Sequence, residues 1–173
     1  MFASTDTAHS TYQRKNQNVN PRKISYIIRH IVDPLALHSY RPGLHDLLRQ
    51  LRPTITDEGL VHAEFFISAA CVRSHALFVF DQELVGMGFL VPICKALSFE
   101  GHLEDIVILE RCRGNGIGRA LIEQLIETGR RQGMSTLTLT SNPENPNRKE
   151  AIDLYRKLGF TDRSGLMRLS LNK

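Results

Sequence analysis

Apolar positions along this chain follow two alternating rhythms, and the change from one to the other outlines the elements. Residues 23–31 (KISYIIRHI) alternate loosely and are β-branched, which predicts a first strand ended by Pro34. Leu44, Leu47, Leu48 and Leu51 return at helical spacing until Pro53 stops them. Leu60, Ala63, Phe66, Ile67 and Ala70 set a second helix over residues 57–70. The period then drops to two. Residues 75–80 (HALFVF) pass through Asp81-Gln82 into 83–91 (ELVGMGFLV), an antiparallel hairpin whose second arm ends at Pro92. Gly86 and Gly88 within that arm mark a bulge or a close backbone approach. Residues 102–109 (HLEDIVIL) make a fourth strand.

The carboxyl-terminal half is more sharply patterned. Ile117, Ala120, Leu121, Leu125 and Ile126 share one helix face, with Arg119, Glu123, Glu127 and Arg130 turned outward and Gly133 as the stop. Residues 136–140 (TLTLT) alternate as a half-buried strand, and 141–147 (SNPENPN) form a loop set by two prolines. Ala151, Ile152, Leu154, Tyr155 and Leu158 line a further amphipathic helix closed by Gly159, and residues 166–171 form a last strand. Strands in hairpins combined with helical crossovers imply a mixed α/β (α+β) sheet flanked by helices.

Composition narrows the class without naming a chemistry. The 173 residues are 42% hydrophobic and 23% charged, which suits one globular domain over residues 24–173. No apolar run is long enough to span a bilayer, so no membrane partner is expected. Of the net charge of +4, Arg14, Lys15, Arg22 and Lys23 against Asp6 place +3 in a polar stretch, residues 1–23, read as a flexible tail. The remainder carries +1 and no basic stripe with interleaved aromatics, so nucleic acid is not an expected partner. Cys71, Cys94 and Cys112 form no CxxC pair, which implies neither a disulfide framework nor a metal centre and suits a reducing, cytoplasmic setting.

The segment Arg113-Gly114-Asn115-Gly116-Ile117-Gly118 carries the chemistry. It lies between a predicted strand and a predicted helix. Glycine permits positive φ and close approach, and a helix start offers unpaired amides and about half a positive charge, together an anion seat. A GxGxxG dinucleotide turn would need glycine where Arg119 stands, and GxxxxGK[ST] is absent.

The spacing Arg113-x-x-Gly116-x-Gly118 resembles the [Q/R]-x-x-G-x-[G/A] signature of the GNAT (Gcn5-related) N-acetyltransferases. Two further segments strengthen the likeness. HLEDIVIL at 102–109 resembles the family's fourth strand, and AIDLYRKLGF at 151–160 resembles its AxxLYxxLGF motif. The resemblance implies a GNAT fold with splayed fourth and fifth strands, here 102–109 and 136–140. It implies acetyl-CoA as co-substrate, with pantetheine paired to the main chain of Ile106, Val107 and Ile108. The pyrophosphate would rest on the amides of Arg113, Gly114, Asn115, Gly116, Ile117 and Gly118, with Arg113 adding a charged contact. Asn142 is a further expected cofactor contact, although Arg148 stands where many relatives carry asparagine.

By the same resemblance, Tyr155 is the acid that protonates departing CoA and Glu104 the base, with Asp105 and His102 as weaker options. The oxyanion donor would be an amide near Val107 or Ile108. The implied activity is acetyl transfer to a primary amine of a small molecule, such as an amino sugar phosphate. A peptide or protein acceptor and a non-catalytic acetyl-CoA sensor stand as alternatives. Homodimers are frequent in such families.

Overall fold

The computed structural model describes residues 25–141 and 148–161. The expected tail over 1–23, Asn142 with most of its loop, and the last strand over 166–171 lie outside them. The chain divides into two compact units, one running through Thr140 and the other beginning at Ser141.

The first unit is built on a five-stranded sheet in the order β1-β2-β3-β4-β5. Its strands are β1 (Ile27–His30), β2 (His75–Asp81), β3 (Glu83–Cys94), β4 (Phe99–Ile108) and β5 (Thr136–Leu139). The first four pair antiparallel and β5 joins β4 in parallel. A parallel neighbour needs a crossover, and α3 (Ile117–Arg131) supplies it. Helices α1 (Arg41–Leu51) and α2 (Asp57–Arg73) fill the connection between β1 and β2.

The periodicities explain the packing. Leu44, Leu47 and Leu48 bury the face of α1 that lies on β3 and β4. Ile117, Ala120, Leu121, Ile122 and Leu125 bury α3 against β2, β3 and β4, while Ile126 is only half-buried. Fully burying each such aliphatic side chain contributes about 1.5–3 kcal/mol over leaving it in water. Thr56 caps α2 through its hydroxyl, which accepts from the Gly59 amide at 3.1 Å.

The structure departs from the sequence reading, or adds to it, at several points. Pro92 does not end β3, which runs on to Cys94. The pairing with β2 stops at His75–Leu90, so beyond it the missing proline donor faces a side where β2 asks for none. A 3-10 turn over Pro34–Tyr40 follows β1, with the Leu35 amide donating to the Asp33 side chain at 3.0 Å. β4 begins at Phe99, three positions before the alternation in HLEDIVIL suggested. Phe66, one of the apolar positions that set α2, is 68% exposed, and the helix buries Leu60, Ile67 and Cys71. Helix α2 is apolar on several sides, so its pattern alone does not select a face.

The second unit contains α4 (Lys149–Lys157), with Tyr155 and Phe160 ring centroids 6.1 Å apart. Among the described residues no helix is long and apolar enough to cross a membrane, and no group of His, Cys, Asp or Glu could hold a metal ion.

Candidate active site

Two features of β4 and the turn that follows it define the candidate site. The first is where the β4–β5 ladder stops. The parallel register runs from Glu100–Thr136 to Leu103–Leu139 and ends there, while β4 continues to Ile108. On that side β5 offers nothing to residues 104–108. This is the expected parting of the fourth and fifth strands.

The orientation of the open backbone follows from one hydrogen bond. The Leu109 amide donates to Val85 O at 2.9 Å, so the Ile108 carbonyl, on the same trans peptide, points away from β3. Alternation along the ladder then turns Val107 toward Met87 and leaves the Ile108 amide and the Ile106 carbonyl facing the parting. Of Ile106, Val107 and Ile108, all named for main-chain contacts, only the first and third present groups there. The Val107 and Ile108 side chains are buried.

The second feature is the turn that starts α3. Gly114 and Gly116 have φ of 76° and 75°, conformations in which an L side chain costs about 1–2 kcal/mol. A Cβ on either would touch nothing, so conformation and not crowding demands the glycines. Gly116 is the N-cap of α3 and has no side chain to cap the helix, which leaves the first-turn amides of Ile117 and Gly118 without a side-chain acceptor. Asn115 braces the turn from inside: its Nδ2 donates to Cys112 O at 3.2 Å and Arg113 O at 3.0 Å. Arg113 leans back on β4, its Nε 3.4 Å from Ile108 O. Amides at an uncapped helix start favour a nearby anion.

The carboxylates sit at the foot of the parting. Gly101 faces α3: a Cβ there would meet Leu90, Leu137 and Met134 at 2.5–2.7 Å, and Leu137 also packs under Gly129 of α3. Neighbouring His102 therefore projects from the opposite face. Its Nε2 lies 3.3 Å from Glu104 Oε1, and its Nδ1 lies 2.7 Å from the hydroxyl of Thr138 across the β4–β5 register. The result is a carboxylate–imidazole–hydroxyl chain that sequence reading had only as separate residues. Thr138 had no signal beyond its place on the polar face of TLTLT.

Asp105 breaks the simple alternation of Glu104 and Asp105. It lies where β4 carries an extra residue opposite Gly88, between the Met87–Val107 and Phe89–Glu104 pairs, and its φ is 47°. Part of Asp105 is exposed, but protein crowds its carboxyl. Burial first, and the Glu104 charge second, push its pKa above the ordinary carboxylate range. Tyr155, in the second unit, has its phenol pushed upward by burial, opposed by the charge of Arg148. It keeps its proton at neutral pH. Cys112 is buried and its thiol is also raised, chiefly by burial, which leaves it protonated and a poor nucleophile.

Over 147 residues the chain is 28% identical to glucosamine 6-phosphate N-acetyltransferase 1 of Oryza sativa subsp. japonica, covering 80% of this chain and 85% of that protein. It is 38% identical over 71 residues to glucosamine 6-phosphate N-acetyltransferase of Trypanosoma brucei brucei, 41% of this chain and 44% of that one. Among solved structures, a Trypanosoma brucei acetyltransferase superimposes with a TM-score of 0.64 at 26% identity, over 85% of this chain and all (100%) of the other. An aminoglycoside N-acetyltransferase in complex with CoA shares the fold, with a TM-score of 0.65 at 19% identity over 88% of this chain and 98% of that one. Residues 42–160 match the acetyltransferase (GNAT) family, so the chain, an α/β acyltransferase of a family that uses acetyl-CoA, belongs to the GNAT family.

Proposed function

We propose that the protein transfers acetyl from acetyl-CoA to the primary amine of a small molecule, an amino sugar phosphate first among the candidates. The observation that carries this reading is the open β4 edge standing beside the amides of the Gly114–Gly116 turn. An extended amide-bearing arm fits the one and a diphosphate the other. The acceptor class is supported by the glucosamine 6-phosphate N-acetyltransferases, one of them similar over most of both chains.

Acetyl-CoA supplies a thioester whose carbonyl carbon accepts the amine. The chain's own residues do the rest. The ammonium form of the acceptor must lose a proton before the amine can attack. Glu104 takes that proton, directly or through one water, and His102 holds its carboxylate in place. The outward Ile108 amide donates to the oxyanion as the C–N bond forms. When the C–S bond breaks, the Tyr155 hydroxyl gives its proton to the leaving thiolate, and the phenolate then takes the second proton from the nitrogen of the new amide. Arg113, Gly114, Asn115, Gly116, Ile117 and Gly118 hold the pyrophosphate, and Asn142 is a further cofactor contact.

The test is thiol release from acetyl-CoA with a panel of amines: glucosamine 6-phosphate, free glucosamine, an aminoglycoside, an arylalkylamine and a lysine peptide. Fastest turnover with the phosphorylated sugar is expected. Fastest turnover with the peptide overturns the acceptor class. CoA binding with no amine-dependent release would make the protein a sensor.

A further inference from the structure

Helix α1 contributes no residue to the motifs, yet one of its side chains reaches the coenzyme half of the site. Gln50 Nε2 donates to Ile108 O at 2.6 Å, and Gln50 Oε1 accepts from the Glu110 amide at 2.6 Å. The partners lie 58 and 60 residues away in sequence, on the last residue of β4 and on the turn that follows it. We infer that Gln50 is a positioning residue for the coenzyme, clamping the joint between the β4 edge and the anion seat.

The reasoning rests on the acetyl-CoA reading and on the length of the ligand. A molecule that pairs with residues 106–108 and also places its diphosphate on 113–118 must find the two seats at one separation. Residues 109–112 set that separation. Within them a short 3-10 turn closes by the Cys112 amide to Leu109 O at 2.8 Å and the Arg113 amide to Glu110 O at 3.1 Å. Those bonds shape the turn but do not orient it on β4. The Gln50 amide does, because it grips the carbonyl before the turn and the amide that begins it. Its far anchor is firm as well: at the other end of α1, Arg41 meets Glu64 of α2 in two bonds, at 2.7 and 2.9 Å. The task needs a donor and an acceptor on one planar group. A carboxylate offers only acceptors, leucine offers neither, and asparagine is one methylene shorter. Binding a two-seat ligand to a preset joint avoids the entropy of ordering it.

Gln50→Leu and Gln50→Glu test this, with calorimetric dissociation constants for CoA, which spans both seats, and for ADP, which carries the diphosphate without the pantetheine arm. CoA should bind about tenfold more weakly to either variant, equivalent to about 1.4 kcal/mol, while ADP binding changes less than about twofold on the same scale. In acetyl transfer the defect should fall on the KM for acetyl-CoA and not on kcat. The Gln50→Glu variant adds a chemical rescue. Its carboxylic acid form regains a donor, so its CoA affinity relative to the unaltered protein should recover as pH falls from about 8 to about 5, toward the ordinary glutamate pKa. Equal losses for CoA and ADP, or CoA affinity unaltered in the folded variant, would overturn the inference. Absence of CoA binding by the unaltered protein would overturn the coenzyme reading itself, which is a separate result.

Discussion

His102 and Glu104 stand two residues apart on one face of β4, their Nε2 and Oε1 atoms 3.3 Å apart, with the second imidazole nitrogen 2.7 Å from Thr138 Oγ1. The Thr138 hydroxyl also donates to Gly101 O at 3.4 Å, so the imidazole stands between the Glu104 carboxylate and a hydroxyl that is itself tied to the β4 backbone. Glu104→Gln should lower kcat about 100-fold, the low end of what a positioned base contributes. It should also remove the acidic limb of the pH–rate profile, with CoA affinity kept. Thr138→Val should act in the same direction but by less than about tenfold, since it removes only neutral hydrogen bonds. Steady-state kinetics across pH checks both, and an intact acidic limb in Glu104→Gln would assign the base elsewhere.

At the anion seat, two substitutions of nearly equal shape separate charge from conformation. Gly116 holds φ at 75° with open space where a Cβ would go. Asparagine and aspartate both tolerate that conformation better than other residues. Gly116→Asn should therefore bind CoA with a modest loss. Gly116→Asp should bind at least about tenfold more weakly than Gly116→Asn at low salt, because it sets an anion against the helix start that receives the diphosphate. The gap should narrow as salt screens it. Equal affinities in calorimetry would move the diphosphate away from this turn.

Asp105 predicts a pH-dependent stability. Its folded pKa is raised, by burial and then by Glu104, so the folded state favours the protonated acid. The stability it contributes is complete below the unfolded pKa of about 3.9 and is lost as pH rises through the higher folded value. Ionised Asp105 therefore weighs against folding at neutral pH, at a backbone φ of 47° that asparagine tolerates well. Asp105→Asn should raise the melting temperature by about 1–2 °C near pH 7, and the gain should vanish toward pH 3.5. Thermal unfolding at the two pH values decides it; a variant less stable at pH 7 would show that the carboxylate makes a stabilising contact.

Tyr155 keeps its proton because burial pushes the phenol upward. Tyr155→Phe should reduce kcat about 10- to 100-fold, in the range of general acid catalysis, and leave the CoA dissociation constant within about twofold. The ring packs beside Phe160, so loss of the hydroxyl should leave the melting temperature nearly unaltered. If kcat is unaffected, the tyrosine serves packing alone.

The parts legible in the sequence were those whose cause is local. The spacing of Ile117, Leu121 and Leu125 reports a buried helix face wherever the helix goes, and glycines at 114 and 116 report a backbone that leaves the ordinary φ range. Short motifs at 102–109, 113–118 and 151–160 were enough to indicate the family, its fold and its coenzyme. Errors arose where a neighbour far along the chain decides. Pro92 looked like a stop because its own chemistry is all a sequence shows, whereas the length of β2 determines whether its missing donor matters. Phe66 shares the helical spacing of α2 and is nevertheless exposed, because α2 is apolar on more than one side.

Chain pattern by itself therefore determined most of the elements, the glycine turn at the start of α3 and the family, since propensity, periodicity and the steric needs of glycine act within a few residues. Tertiary structure alone decided which backbone groups of β4 face the parting, that an extra residue at Asp105 breaks the alternation, and that Gln50 grips a turn some sixty positions away. The reason is physical. Strand register and hydrogen bonds between distant segments are set by how whole faces fit together, and no local window of residues contains that information.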